Sequence, residues 1–215
     1  MNKSADESDG PRGLHAALKS SAVYNLWQRI AGSRHFKKKL VEELLSLTPD
    51  MRMLDIGCGT GEILDFISPG LNLEYVGTDI SPEYISRASS RYSGRGTFLC
   101  QDATAPLEHQ DYFDLALLLG LLHHLNDQTC IGALSRAVEA LKPGGMLRII
   151  EPLRRPSAGL LERVLMAHDR GQYVRTLDEY ISLMRALPLQ IETFVWEKPF
   201  TIPWTLIVIS GRRVN

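Results

Sequence analysis

The densest chemistry in this chain lies in one short segment, Leu54-Asp55-Ile56-Gly57-Cys58-Gly59-Thr60-Gly61. Glycines at alternate positions let the backbone turn sharply and let a ligand approach where a Cβ would collide. Asp79 stands 20 residues past Gly59. A carboxylate there can take both hydroxyls of a ribose. The spacing also separates two cofactor classes. A dinucleotide loop reads G-x-G-x-x-G and presents a helix start to a pyrophosphate. Here the third glycine arrives one residue early and Glu62 follows it, a charge that repels phosphate at a helix start. The loop suits a nucleoside without phosphates.

These residues must be held by elements that the apolar pattern marks out. Met51 to Ile56 is a short apolar strand, Thr60 to Ile67 reads as a helix, and Leu73 to Thr78 is a second strand. Ser81-Pro82-Glu83 caps and opens a helix through Arg91, with proline at the position where its missing N–H costs nothing. Thr97 to Gln101 is a third strand. Phe113 to Leu119 is continuously apolar, as expected of a strand buried on both faces. Asp127 to Leu141 is helical, Lys142-Pro143-Gly144-Gly145 is a tight turn and Met146 to Ile150 is a fifth strand. Such alternation predicts an α/β fold on a parallel sheet.

Upstream, a helix carries Val23, Leu26, Trp27 and Ile30 on one face, and a second carries Phe36, Leu40, Leu44 and Leu47. Downstream, Ser157 to His168 and Leu177 to Leu187 read as helices, the latter opened by a Thr176/Glu179 capping box. Gln190 to Trp196 and Trp204 to Ser210 read as a closing antiparallel hairpin. Residues 1–13 hold almost nothing that could be buried and read as a disordered tail. The remainder divides as one domain over 14–215: N-terminal helices 14–49, an alternating α/β core 50–152, an insertion 153–188 and a closing hairpin 189–215.

Composition limits the function classes. The 215 residues are 44% apolar and 23% charged with a net charge of −1, inside the soluble globular range and without a polyanion-binding footprint. A small-molecule partner is therefore expected rather than a nucleic acid. Cys58, Cys100 and Cys130 are widely spaced with no Cys/His cluster, so reduced thiols and no metal site are expected. The polar N-terminus lacks the apolar stretch of a signal peptide and no run reaches membrane-spanning length, which predicts a cytoplasmic chain. Oligomeric state is left open.

With five motifs in order, the sequence resembles the class I S-adenosylmethionine-dependent methyltransferases, in particular small bacterial members of unassigned acceptor. The motifs are LDIGCGTG, the Asp79 of YVGTDIS, Gln101-Asp102-Ala103, FDLALLLGLLHHL at 113–125 and LKPGG at 141–145. The resemblance covers roughly residues 50–152. It implies a Rossmann-like three-layer sandwich with a seven-stranded, mostly parallel sheet whose last strand is antiparallel, and S-adenosyl-L-methionine as cofactor. It further implies that Asp55 and the backbone around Gly57, Cys58, Gly59 and Gly61 hold the methionine end. Asp79 would take the ribose, Ile80 the adenine face, Asp102 and Ala103 the adenine edge, and Leu119 a place near the sulfonium. Tyr24 of the N-terminal helix would reach the methionine end.

Methyl transfer from a sulfonium needs alignment, exclusion of water and, for a hydroxyl or acidic C–H acceptor, removal of a proton. Candidate groups lie beyond the strand ends: His123 and His124, with His124 as the more structural of the two, and Glu151. Each also has a plain packing role available to it. In the insertion, Asp169-Arg170-Gly171-Gln172-Tyr173-Val174-Arg175 is too polar to be core. Arg170 and Arg175 could clamp an anionic group beside Tyr173, or the Asp–Arg pairs could fix the insertion to the sheet. After the fourth strand GLLH replaces an NPPY-type tetrapeptide, which tilts towards an oxygen, carbon or simple amine acceptor on a metabolite, sugar or lipid-linked intermediate. Two rivals stand beside this reading: an NAD-dependent oxidoreductase, and a non-catalytic methyltransferase-like binding protein.

Overall fold

The computed structural model describes residues 33–167 and 171–214. The five apolar segments of the core become parallel strands: β1 Arg52–Ile56, β2 Glu74–Asp79, β3 Thr97–Cys100, β4 Phe113–Leu119 and β5 Leu141–Pro152. The hairpin of β6 Leu189–Glu197 and β7 Thr205–Arg213 completes a seven-stranded sheet ordered β3-β2-β1-β4-β5-β7-β6. β7 runs antiparallel to both β5 and β6. This is the expected three-layer α/β architecture.

Five α-helices are described: α1 Ser33–Lys39, α2 Pro82–Arg91, α3 Asp127–Ala140, α4 Leu160–Ala167 and α5 Leu177–Ser182. Local sequence starts several of them. The Ser81 hydroxyl accepts from the Tyr84 N–H with Pro82 at the first position of α2. The Asn126 side chain accepts from the Thr129 N–H to open α3. Thr176 and Glu179 cap α5 reciprocally, the expected capping box.

Period-two alternation along the strands feeds two cores. Leu54, Ala116 and Leu118 point to a cluster beneath α3 and α5 that includes Leu134, Leu147, Tyr180 and Ile207. Met53, Leu115 and Leu117 point the other way, to Phe36 and Leu40 and to Trp196 and Trp204 of the hairpin. β4 is buried along most of its length.

Several elements differ from the sequence reading. The helix expected over Thr60 to Ile67 is one 3₁₀ turn, Glu62–Asp65, because the glycine loop takes its start and Pro69 opens another turn soon after. The Lys142–Gly145 turn lies within β5. That strand begins at Leu141, opposite Phe113, and an irregularity before Leu115 absorbs the extra residues, with Gly144 at φ 78°. The second N-terminal helix widens into a π-helical stretch at Leu40–Leu44. α5 ends at Ser182, and single turns continue to Leu187.

One consequence of the strand order positions the site. β2 lies on one side of β1 and β4 on the other, so the loops leaving β1 and β4 part in opposite directions. At such a switch point the carboxyl ends of the strands leave a crevice.

Candidate active site

The glycine loop leaves β1 at that crevice. Gly57, Gly59 and Gly61 have φ of 78°, 55° and 71°, values that L side chains adopt only at a cost. The N–H groups of Gly57 and Cys58 both donate to the Thr78 carbonyl, at 2.8 and 2.9 Å, which ties the loop to β2. A Cβ at Gly59 would meet nothing within 4 Å, so the loop offers open backbone there, whereas one at Gly57 would strike the Leu121 side chain. Glu62, just past the loop, pairs with Lys37 of α1 at 2.6 Å, which lowers its pKa. Burial pushes the half-buried Cys58 thiol up, and Asp55 and Asp79 add to the effect.

Asp79 ends β2. Its Oδ2 accepts from the Gly59 N–H at 2.9 Å and its Oδ1 from the Ser81 N–H at 2.8 Å. The carboxylate therefore caps its own turn and bonds to the glycine loop, and these bonds fix its orientation. The next residue, Ile80, is 69% exposed. It is not core, and it places an apolar side chain on the surface beside a polar loop. Asp102 accepts from the Thr104 N–H and hydroxyl at 2.8 and 2.6 Å, and both bonds hold its carboxyl low. Ala103 packs against the cluster beneath α3, and Leu119 against the other cluster.

Asp55 is only half satisfied. It is buried near the end of β1, and its Oδ2 accepts from the Tyr75 hydroxyl at 2.7 Å. Its Oδ1 is buried and has no partner. Burial raises its pKa to about 6, against the opposing pull of the tyrosine bond. A buried acceptor without a donor at the mouth of the crevice fits a cationic donor, such as the amino group of a methionine moiety.

The side facing β4 and β5 is built differently. Glu151, near the end of β5, is fully buried. Its Oε1 accepts from the N–H groups of Leu121 and Leu122 at 2.8 and 2.7 Å. Its Oε2 accepts from the His123 N–H at 3.3 Å and faces His123 Nδ1 at 2.6 Å. Three main-chain N–H groups and the His123 ring surround this carboxylate, so both its oxygens are engaged by the loop after β4. The order of the two histidines is reversed. His123 is the buried, held member, and His124 is exposed, with its ring tilted over His123 at a centroid distance of 4.0 Å.

Arg175 is not a substrate clamp. Its side chain is buried, and it donates to Asp127 Oδ1 at 2.7 and 3.0 Å and to the carbonyls of Leu122 and Leu125 at 2.8 and 2.7 Å. Guanidinium donors committed to these partners leave no fork for an anion. Tyr173 is 39% exposed at the same edge. Tyr24, Trp27 and Arg170 lie outside the described residues.

Sequence reasoning missed Tyr75, Leu121 and Asp127, which respectively hold Asp55, cover Gly57 and pair with Arg175. Among the described residues no group of three or more His, Cys, Asp or Glu side chains could hold a metal ion. No described helix is long and apolar enough to cross a membrane.

Comparison with known proteins supplies the family. Residues 54–147 fit the family model of a methyltransferase domain. The chain is 30% identical over 200 residues to the 27-O-demethylrifamycin SV methyltransferase of Amycolatopsis mediterranei, covering 88% of this chain and 69% of that one. It is also 30% identical over 128 residues to the cyclopropane-fatty-acyl-phospholipid synthase of Escherichia coli K12, covering 59% of this chain but only a third of the synthase. A phosphoethanolamine N-methyltransferase of Haemonchus contortus, solved with phosphomonomethylethanolamine and S-adenosylhomocysteine, shares the fold at a TM-score of 0.74 and 16% identity, over 94% of this chain and 59% of that one. The cofactor is S-adenosyl-L-methionine. Motif order, switch-point geometry and a relative matched over most of its length converge: the chain belongs to the class I S-adenosylmethionine-dependent methyltransferases.

Proposed function

We propose that this enzyme methylates a hydroxyl of a small-molecule acceptor, with His123 taking the proton and Glu151 holding His123 in place. The observation that carries this reading is the 2.6 Å contact between His123 Nδ1 and Glu151 Oε2. A carboxylate oxygen only accepts, so the hydrogen belongs on Nδ1. In the neutral ring Nε2 is then the basic nitrogen. An imidazole fixed in one tautomer by a buried carboxylate is the arrangement a general base needs. The likeness to a 27-O-methyltransferase over most of both chains supports an oxygen acceptor, and the near-neutral net charge supports a small molecule.

The bound cofactor supplies an activated methyl group on a sulfonium. This chain's own residues orient and enclose it. Asp55 Oδ1 takes the amino group of the methionine end, and the open backbone at Gly59 admits the chain that follows. Asp79 takes the ribose hydroxyls, Ile80 covers the adenine face, and Asp102 and the Ala103 N–H take the adenine edge. Leu119 lines the way to the methyl group. The insertion's described residues, 153–167 and 171–188, form the wall of the acceptor pocket, with Tyr173 at its rim.

The test is turnover of labelled S-adenosylmethionine against a panel of hydroxylated macrolactams and phenols beside phosphoethanolamine. Methyl incorporation into a hydroxyl compound, falling by about a hundredfold or more in His123→Ala with cofactor affinity kept, is the expected result. A His123→Ala enzyme with unchanged turnover, or transfer to phosphoethanolamine alone, would overturn it.

A further inference from the structure

We infer that residues 171–175 form a strap that positions His123, and that Gly171 and Arg175 are its two working residues. The inference rests on the reading of His123 as proton acceptor, and it asks what holds that ring where it is. Glu151 accounts for only one side of the loop after β4. It takes the N–H groups of residues 121–123 and leaves their carbonyls directed elsewhere. Buried carbonyls need donors; the His124 and Leu125 N–H groups serve Leu121 and Leu122 from within the loop, and the strap supplies further ones. Arg175 donates to the carbonyls of Leu122 and Leu125, and between them the Tyr173 N–H donates to the His123 carbonyl at 2.9 Å. Three carbonyls across residues 122–125 are therefore held by a segment some fifty residues further along the chain.

The ring itself meets the strap at Gly171. A Cβ built there would overlap His123 Cδ2 and stand 2.9 Å from both Cγ and the His123 carbonyl oxygen. No side chain fits at 171 unless the ring leaves Glu151 or the strap lifts. The strap cannot lift freely. Arg175 forms a β-bridge with Leu153, and the Arg154 N–H donates to the Arg175 carbonyl at 2.9 Å, directly past the end of β5 that carries Glu151. Arg175 also pairs with Asp127 in the first turn of α3, whose own side chain is 74% exposed. Glu151 and Arg175 thus hang from the same strand end and grip the histidine loop from opposite sides, the carboxylate by its N–H groups and the guanidinium by its carbonyls. Through this grip the insertion that forms the acceptor wall sets the pose of His123.

The experiment reads the ring directly and needs no acceptor. The full chain is labelled with ¹⁵N-histidine and saturated with S-adenosylhomocysteine, and the His123 imidazole is assigned by its loss in His123→Gln. Long-range ¹H–¹⁵N spectra should show one Nδ1-protonated tautomer in the wild type. Gly171→Ala and Arg175→Ala should move both nitrogens towards the tautomeric average, and Arg175→Lys should recover part of the shift. Arg87→Gln, on an exposed position of α2, should leave the signals in place. Retained S-adenosylhomocysteine affinity, within about twofold, certifies each variant as folded. If Arg175→Ala does not fold, Gly171→Ala decides. Wild-type His123 signals in the folded strap variants would overturn the inference. Unchanged turnover in His123→Ala would instead remove the general-base reading and leave the strap to be judged by the spectra.

Discussion

The two halves of the crevice treat polar groups in opposite ways. Around the end of β1 the protein leaves capacity open, although Asp79 at the end of β2 already takes the Gly59 and Ser81 N–H groups. Asp55 Oδ1 has no partner, the Gly59 backbone has nothing over it, and Ile80 stands in solvent. At the ends of β4 and β5 the charged groups are occupied. Glu151 receives four donors, and Arg175 serves three main-chain carbonyls and Asp127. An underpartnered buried group is tolerated where a ligand completes it, whereas a saturated one shapes backbone. A charge near a strand end is therefore not by itself a substrate contact. Its hydrogen-bond count separates the two uses.

The strongest way to break this contrast is at Glu151. Glu151→Ala leaves three main-chain N–H groups and the His123 ring without their acceptor, and removing one partner from a buried charged network costs about 3–5 kcal/mol. A loss of that size in chemical denaturation is expected, in the absence of cofactor. A variant as stable as the wild type would show that the loop after β4 does not depend on the carboxylate.

Asp55→Asn should behave in the reverse sense. It removes the carboxylate offered to the cofactor amino group, and a hydrogen bond involving charge contributes about 1.5–3 kcal/mol, so cofactor affinity should fall by about ten- to a hundredfold in a binding titration. The same change relieves a buried charge, so the cofactor-free protein should be no less stable and should gain at neutral pH. A destabilised Asn variant would contradict this.

The titration of Asp55 sharpens the point. Its folded pKa of about 6 lies above the ordinary carboxylate value. The folded state therefore binds a proton that the unfolded chain has released between about pH 4 and 6, and stability contributed by that proton is lost as pH rises through this window. A shift of roughly two units corresponds to about 3 kcal/mol. Cofactor affinity should run the other way, weakening as pH falls through about 6 while the carboxylate takes up its proton, with proton release on binding at pH 6. Calorimetry in buffers of different ionisation enthalpy measures that release.

The smallest expected effect is at Ile80. Truncation to alanine removes apolar area that meets mostly solvent in the free protein, so stability should change little. Cofactor affinity should fall by about five- to tenfold, the equivalent of roughly 1 kcal/mol of lost adenine contact. Equal affinity would take Ile80 out of the site.

The fold was legible because its signals are local and periodic. Five apolar runs at strand spacing, the Ser81 and Thr176 caps and the glycine loop each act within a few residues, and the structure follows them. On the cofactor side, the places of Asp55 and Asp79 at strand ends and of Asp102 just past one were legible for the same reason. The other side was not. Glu151 meets residues 121–123 across about thirty positions, and Arg175 meets Asp127 across 48. Whether a charge is open or satisfied depends on such partners, so the sequence left Arg175 between an anion clamp and a strut for the insertion, and ranked His124 as the structural histidine. Tyr75 carried no local signal either, because a strand tyrosine reads as core until its hydroxyl finds Asp55, 20 residues away.

The contrast between an open and a saturated end is tested most directly by a crystal structure of the full chain with S-adenosylhomocysteine. The account predicts the ligand's amino group within hydrogen-bonding distance of Asp55 Oδ1 and its adenine against Ile80. It also predicts that the Glu151 carboxylate stays bound to residues 121–123 as in the free protein. A structure in which Asp55 Oδ1 still lacked a partner, or in which Glu151 turned to meet the ligand, would contradict it.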